Sequence, residues 1–197
     1  MDFYTLIISF FLAIGLSAAC GFRIFIPPLS YGLLYKAELV QLGEDWTWMG
    51  NELVIAILAL AAVLEICASL IPWIDNLLDV LATPASILAG TILSASCLSD
   101  FSPGLQWILS VISGVTVTGG FQLATVGIRG MSSIFTGGLV NPIFSIIEDT
   151  ISLGITLTII FFPVIGIIVI ILFALLIRKL FLKLRKRKNM KLQIQDN

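Results

Sequence analysis

Residues 155–177 read ITLTIIFFPVIGIIVIILFALLI, and no charged residue occurs from Thr150 to Ile177. About 20 apolar residues are needed to cross a hydrocarbon core of roughly 30 Å. Eight basic residues follow within 178–191, and Asp196 is the acidic residue of the C-terminal stretch. Because Lys and Arg are retained on the cytoplasmic side of a membrane, this end predicts a spanning helix followed by a basic cytoplasmic tail, residues 178–197.

The whole chain has the composition of a membrane protein. Of its 197 residues, 58% are hydrophobic and 12% are charged, and its mean hydropathy is +1.08. Soluble domains are about 45–50% apolar and about 25% charged. This excludes a lone soluble domain, a disordered chain, a nucleic-acid-binding protein and a disulfide-stapled secreted module. We expect a single membrane domain, residues 1–177, of a multi-pass protein in a bacterial cytoplasmic (inner) membrane.

Six stretches are long enough to span a bilayer. They are 3–22, 80–99, 101–128, 130–147 and 150–177, which are uncharged, and 53–74, which contains Glu65. Each is predicted to be helical, because a single strand cannot satisfy its backbone in lipid and the alternation of barrel strands is not found here. The sequence predicts an all-α, polytopic transmembrane helix bundle of about six helices, with five as the alternative. Six crossings place both termini in the cytoplasm, whereas five place the N-terminus outside.

Two stretches combine apolar residues with helix breakers. Residues 130–147 are interpreted as a full crossing or as a broken or re-entrant segment, and residues 24–35 are too short to cross. The breakers within them are Pro27, Pro28, Gly137, Gly138, Asn141 and Pro142. In the last span, Pro163 is expected to kink the helix near its middle.

A short pattern occurs twice. Residues 19–23 and 125–129 each end with a glycine (Gly21 or Gly127), an apolar residue and an arginine. Three spans per half would make residues 100–177 an inverted copy of residues 1–99. Transporters often use such a 3+3 inverted repeat, with a site at the interface of the halves. Chance similarity is the alternative, because the pattern is short.

The residues of enzymatic and metal sites are scarce. The chain has no histidine, and its three cysteines lie far apart in apolar runs. No zinc-ligand spacing, phosphate-binding loop or dinucleotide fingerprint occurs. We therefore expect no enzyme activity, no cofactor and no metal.

Three groups of residues resemble a known family. They are Gly21-Phe22-Arg23 with Pro27-Pro28-Leu29; then Glu65, Pro72, Asp75 and Asp79; then Arg129, Ser133, Thr136-Gly137-Gly138, Asn141-Pro142 and Glu148-Asp149. On these residues the chain resembles the DUF4126 family of membrane proteins, a domain of unknown function. The resemblance implies a fold but no established activity.

Five charged residues are candidates for a substrate-binding site: Arg23, Glu65, Arg129, Glu148 and Asp149. Ionised side chains in a membrane are costly and are usually paired or functional. The arginines either extend to the membrane interface or bind an anion or pair with Glu65 and Glu148. Glu65 lies about 18 Å into its span at 1.5 Å per residue, so it pairs with a cation or is protonated. Glu148 and Asp149 could instead cap a helix N-terminus, and Asp75 and Asp79 could lie in a solvated loop.

Two functions are compatible with this pattern. The first is a small-solute or ion transporter or channel, with the charged site between two halves. The alternative is a non-transporting membrane scaffold or assembly factor whose charges hold helices or a partner together. The expected partners are the lipid bilayer, anionic lipid at the basic tail and a second copy of the chain, with no nucleic acid.

Overall fold

The computed structural model describes residues 3–165, 167, 168, 170–172, 175, 178 and 179; the side chains of 72, 73 and 75–80 are outside this description. The helices are α1 (Phe3–Cys20), α2 (Ile26–Lys36), α3 (Glu52–Ser69), α4 (Pro72–Cys97), α5 (Pro103–Ile112), α6 (Gly119–Thr136) and α7 (Asn141–Phe161). A 3₁₀ segment covers Glu44–Gly50, and a π-helical segment, Ser113–Thr118, joins α5 to α6. The described residues contain no strand, which confirms the all-α class.

The helices are those of a membrane protein. Among the described residues, four stretches are long and apolar enough to cross a bilayer: Phe3–Cys20, Glu52–Ser69, Pro103–Thr136 and Asn141–Phe161. A shorter apolar helix, Leu81–Cys97, forms most of α4. Many large apolar side chains are exposed, whereas many serines and threonines and the charged residues Arg23, Arg129 and Glu148 are buried. This distribution suits a lipid-facing surface, because polar groups in a bilayer turn toward the interior of the bundle.

Two predicted spans are divided in the structure. Residues 130–147 do not form one helix: α6 ends at Thr136, and α7 begins at Asn141. Gly137 (φ 64°) and Gly138 (φ 85°) adopt left-handed conformations that end α6, and Pro142 suits the first turn of α7. The last span is divided at Phe162 (φ −138°, ψ 69°), so Pro163 follows a helix end and does not kink a continuous helix.

The irregular stretch after Arg23 forms a short helix. Pro27 and Pro28 lie in the first turn of α2, where proline is tolerated because those N–H groups have no partner within the helix. The 11 residues of α2 run back along α3. Lys36 at its end pairs with Glu52 at the start of α3, at 2.7 Å.

The two segments that carry the arginine pattern run in the same direction. Ser17 contacts Thr118 and Gly21 packs on Phe121, so α1 and the segment entering α6 are parallel. Along α7, Asp149 pairs with Arg23 and Ser152 bonds to Ala19, so α7 is antiparallel to α1. An inverted repeat requires these segments to run in opposite directions. The inverted relation between residues 1–99 and 100–177 is therefore wrong for the two segments that suggested it.

Small and hydroxyl-bearing residues hold α1 at the centre of the bundle. Ser17 donates a hydrogen bond to the carbonyl of Gly90 (3.0 Å) and accepts one at its hydroxyl from Ser113 (2.9 Å). Thr118 donates to the carbonyl of Ser17 (2.7 Å). Ser113 and Thr118 are five residues apart, and the wide turn of the π-helical segment brings both against α1.

Candidate functional site

Arg23 lies in the break between α1 and α2. The break is tightly packed, because a Cβ added at Gly21 would lie 2.6 Å from Cβ of Phe121 and 2.8 Å from the carbonyl oxygen of Thr118. Only glycine fits there without displacing backbone. Close packing at Gly21 thus directs Arg23 into the bundle, where it is 2% exposed.

The guanidinium of Arg23 is held by three groups. Its Nε lies 2.5 Å from Oδ1 of Asp149 in an ion pair. Its Nη2 donates to the hydroxyl of Ser69 and to the carbonyl of Ser145, both at 3.0 Å. Ser69 ends α3 and the other two residues belong to α7, so Arg23 joins the α1–α2 break to both helices. The interpretation that Arg23 extends to the membrane interface is wrong.

Arg129 of α6 forms a buried ion pair with Glu148 of α7. Its Nε donates to Oε1 of Glu148 (3.2 Å), and its Nη2 contacts Oε2. The two residues are 5% and 6% exposed. Paired nitrogens against both carboxylate oxygens give the bidentate geometry for which arginine is suited. Arg129, like Arg23, is therefore paired inside the bundle.

Glu148 and Asp149 lie in the second and third turns of α7. A helix N-cap precedes the first turn, and the four unpaired N–H groups lie within that turn. The interpretation of Glu148-Asp149 as a cap is therefore wrong. Consecutive helical residues point about 100° apart, since 3.6 residues make a turn. The two carboxylates consequently reach two arginines on different segments.

Glu65 of α3 caps the N-terminus of α2. Its carboxylate accepts hydrogen bonds from the backbone N–H of Ile24 (2.8 Å) and of Phe25 (3.1 Å). Ile24 and Phe25 immediately precede the first residue of α2, and the positive end of a helix dipole favours a carboxylate there. Within the described part of the chain, Glu65 forms no ion pair with either arginine.

A pocket of about 430 Å³ lies beside these groups. Arg23, Glu65 and Arg129 line it, whereas Glu148 and Asp149 hold the arginines from α7. Its other lining residues are Phe22, Ile24, Phe25, Ala61, Leu64, Ala68, Ser69, Leu81, Ala82, Ala85 and Gln122. The structure thus brings all five candidate charges to one place, three at the pocket surface and two behind it.

Some of the glycine, proline and asparagine residues that were expected to interrupt helices lie at the site, and others lie away from it. Gly21, Pro27 and Pro28 shape the α1–α2 break, and Pro28 lines a second, apolar pocket of about 130 Å³. Gly127 lies within α6, and Gly137 and Gly138 form the turn to α7. Asn141 donates to the hydroxyl of Ser133 (3.0 Å) across that turn, with Pro142 beside it. These last five residues support the helix pair that carries Arg129 and Glu148, and they do not line the large pocket.

Sequence reasoning did not identify the small residues of the site. Ser69 and Ser145 bind Arg23, yet a single serine in an apolar run gives no signal of its own. The alanines of the pocket wall give a weak signal: Ala61 and Ala68 are seven residues apart on α3, and Ala82 and Ala85 are three apart on α4. Such spacing places small residues on one helix face.

Some expectations fall outside the description. The side chains of Asp75 and Asp79, and the basic tail beyond Lys179, are not described. Among the described residues, no group of three or more His, Cys, Asp or Glu side chains is arranged to hold a metal ion.

The model of the DUF4126 family, described as "Domain of unknown function (DUF4126)", matches residues 10–183. No curated protein and no solved structure matches the chain. The match includes every residue of the site.

Proposed function

The chain belongs to the DUF4126 family, and from its site we propose that it is a small-solute or ion transporter or channel. The observation that carries the proposal is the pocket of about 430 Å³, with Arg23, Glu65 and Arg129 in its wall. Ligand pockets are commonly about 300–1,000 Å³, mostly apolar, with a few polar groups that orient the ligand. Ionisable residues inside a membrane bundle commonly mark solute or ion pathways.

The backbone around the pocket also supports this proposal. The chain is non-helical between Cys20 and Ile26, at the depth of Glu65 in α3. Irregular backbone at membrane depth is tolerated where it lines a cavity or is buried in protein. Transporter sites are often built from interrupted helices whose N-termini face the site. Here the backbone just before α2 lines the pocket, and Glu65 binds it directly.

One observation favours the alternative, a non-transporting scaffold or assembly factor. Each arginine already has a carboxylate partner, Asp149 for Arg23 and Glu148 for Arg129. Such pairs hold α6, α7 and the α1–α2 break together without any ligand. A scaffold of this kind explains the ion pairs, but it does not require the pocket to remain open.

The placement in the membrane is part of the same proposal. The protein lies in a bacterial cytoplasmic membrane as a multi-pass, non-enzymatic protein with a cytoplasmic C-terminus. Its basic tail binds anionic lipid, since each Lys or Arg near such a surface contributes about 1 kcal/mol. A homo-oligomer is compatible with the apolar surface of the bundle.

Electrical recording from reconstituted vesicles, during a change of the salt solution around them, distinguishes a transporter from a scaffold. Vesicles adsorbed to a sensor are switched from NaCl to KCl, to tetraethylammonium chloride or to sodium acetate, and the current from charge movement is recorded. We expect a current in at least one exchange and its loss in Ala61→Leu, which fills the pocket. Ala56→Leu is the matched control, because Ala56 is exposed on the same helix and lines neither pocket.

The same experiment can exclude transport. Currents that are equal to those of protein-free vesicles in every exchange, or that persist unchanged in Ala61→Leu, contradict the transport proposal. The scaffold alternative then predicts that a co-purifying partner or the folded state depends on the ion pairs.

A further inference from the structure

The charges around the pocket do not balance. Two arginines, Arg23 and Arg129, lie among three carboxylates, those of Glu65, Glu148 and Asp149. With all five groups ionised, these described side chains sum to one negative charge, two positive against three negative. Uncompensated charge inside a membrane is expensive. Among the described side chains, the site therefore has one more carboxylate than arginines.

Of the three carboxylates, Glu65 is the one that forms no ion pair with an arginine among the described residues. Asp149 and Glu148 are each in an ion pair, whereas Glu65 accepts hydrogen bonds from two backbone amides. Each oxygen of an ionised carboxylate has about two acceptor positions. One bond to each oxygen leaves capacity for a further partner, and Glu65 is the carboxylate of the three that lines the pocket.

The remaining pocket wall suits an apolar and aromatic ligand. Phe22 and Phe25 line the pocket on either side of Arg23 in the chain, and aliphatic side chains from α3 and α4 make up most of the rest. Aromatic ring faces attract organic cations, and the attraction increases when water is excluded. A wall of this kind does not replace the hydration shell of a small inorganic ion, which requires several oxygen ligands.

The pocket is bordered by residues that face the lipid. Leu64 of α3 and Leu81 of α4 both line it, and they are 59% and 63% exposed. The alanines Ala61 and Ala85 on the same two helices keep the space between them unfilled. An apolar molecule can therefore reach the pocket from the acyl-chain region between α3 and α4.

We propose that the pocket binds a lipophilic organic cation, with its positive charge at Glu65 and its apolar body between α3 and α4. The proposal rests on the proposed function, because it names the substrate class of that same site. The positive charge of the occupant offsets the carboxylate of Glu65, and its apolar body lies against the aliphatic and aromatic wall. An anion of the same shape would place a second negative charge beside Glu65.

Two probes of matched size and opposite charge test this proposal. Tetraphenylphosphonium and tetraphenylborate are titrated onto the full chain in nanodiscs, and their partition into protein-free nanodiscs is subtracted. We expect the phosphonium to bind at least tenfold more tightly than the borate. Ala61→Leu should weaken phosphonium binding at least tenfold, whereas Ala56→Leu should leave it unchanged. Glu65→Gln should weaken it by a similar factor.

The outcomes are decisive even if one variant fails to fold. Glu65→Gln alters the cap of α2, and a loss of folding in this variant leaves the probe pair and Ala61→Leu to decide the question. Equal binding of the two probes, tighter binding of the borate, or unchanged binding by Ala61→Leu overturns the proposal. Phosphonium binding without any current in the tetraethylammonium exchange contradicts transport of an organic cation but not the ligand class. A pocket-dependent current without phosphonium binding contradicts the ligand class but not transport.

Discussion

Glu148 and Asp149, neighbours in α7, pair with arginines from two different segments of the chain. Glu148 binds Arg129 of α6, and Asp149 lies 2.5 Å from Nε of Arg23 in the α1–α2 break. One turn of α7 therefore positions both cations of the site. Displacement of α7 along its axis would disturb both pairs together, which makes this turn the structural link between the pocket and the rest of the bundle.

The Arg129–Glu148 pair should be strongly coupled. Arg129→Met leaves Glu148 buried without its cation, and removal of one partner of a buried pair typically costs about 3–5 kcal/mol. The double variant Arg129→Met/Glu148→Met should be less destabilised than the sum of the single variants. Denaturant unfolding in detergent measures each free energy of unfolding.

The control for this cycle is the exposed pair Lys36–Glu52, which joins α2 to α3. Surface ion pairs contribute little, so Lys36→Met should change the free energy of unfolding far less than Arg129→Met. Equal effects of the two substitutions would contradict the argument that burial makes the inner pair important.

Removal of the Glu65 carboxylate should loosen the start of α2. In Glu65→Ala, the N–H groups of Ile24 and Phe25 lose their acceptors, and a buried unsatisfied group costs about 1–3 kcal/mol. Glu65→Gln should have an intermediate effect, because an amide offers one acceptor oxygen in place of two. Hydrogen–deuterium exchange checks this: the amides of residues 24–26, 29 and 30 should exchange faster in the order wild type, Gln, Ala, while the amides of α7 change less. Unchanged exchange at these residues would show that Glu65 is not the cap.

The sequence predicted the chemistry of the site better than its geometry. Charged residues inside apolar stretches are rare enough to be identified singly, and all five candidates meet around one pocket. The helix ends were less predictable. Hydropathy alone does not show that Gly137 and Gly138 divide residues 130–147, because the stretch stays apolar across a turn that depends on left-handed backbone. The parallel course of α1 and α6 depends on the contacts of Ser17 with Thr118 and of Gly21 with Phe121, which no local pattern encodes.

The two ends of the bundle, which lie on opposite sides of the membrane, should be distinguishable by chemical labelling. Three successive traversals, α3, α4 and the continuous stretch Pro103–Thr136 that contains α5 and α6, separate the 3₁₀ segment containing Thr47 from the turn containing Leu139, so the two lie at opposite ends of the bundle. In a Cys67→Ser background, which removes the exposed native cysteine, Thr47→Cys and Leu139→Cys should react with an impermeant maleimide from opposite sides of the membrane. Labelling of both from the same side would contradict the order of helix directions.

Gly21 and Gly120 should respond in opposite ways to the same substitution. A Cβ at Gly21 meets Cβ of Phe121 at 2.6 Å and the carbonyl oxygen of Thr118 at 2.8 Å, so Gly21→Ala must displace backbone. Overpacking of this kind typically costs about 1–3 kcal/mol. An added Cβ at Gly120 meets nothing within 4 Å, and in a helix Ala is favoured over Gly by about 1 kcal/mol. Thermal unfolding in detergent should therefore show a lower midpoint for Gly21→Ala and an equal or higher midpoint for Gly120→Ala. The α1–α2 break carries Arg23, so Gly21→Ala should also weaken any ligand binding in the pocket, whereas Gly120→Ala should not. A stable Gly21→Ala protein with unchanged binding would show that close packing at Gly21 does not position Arg23.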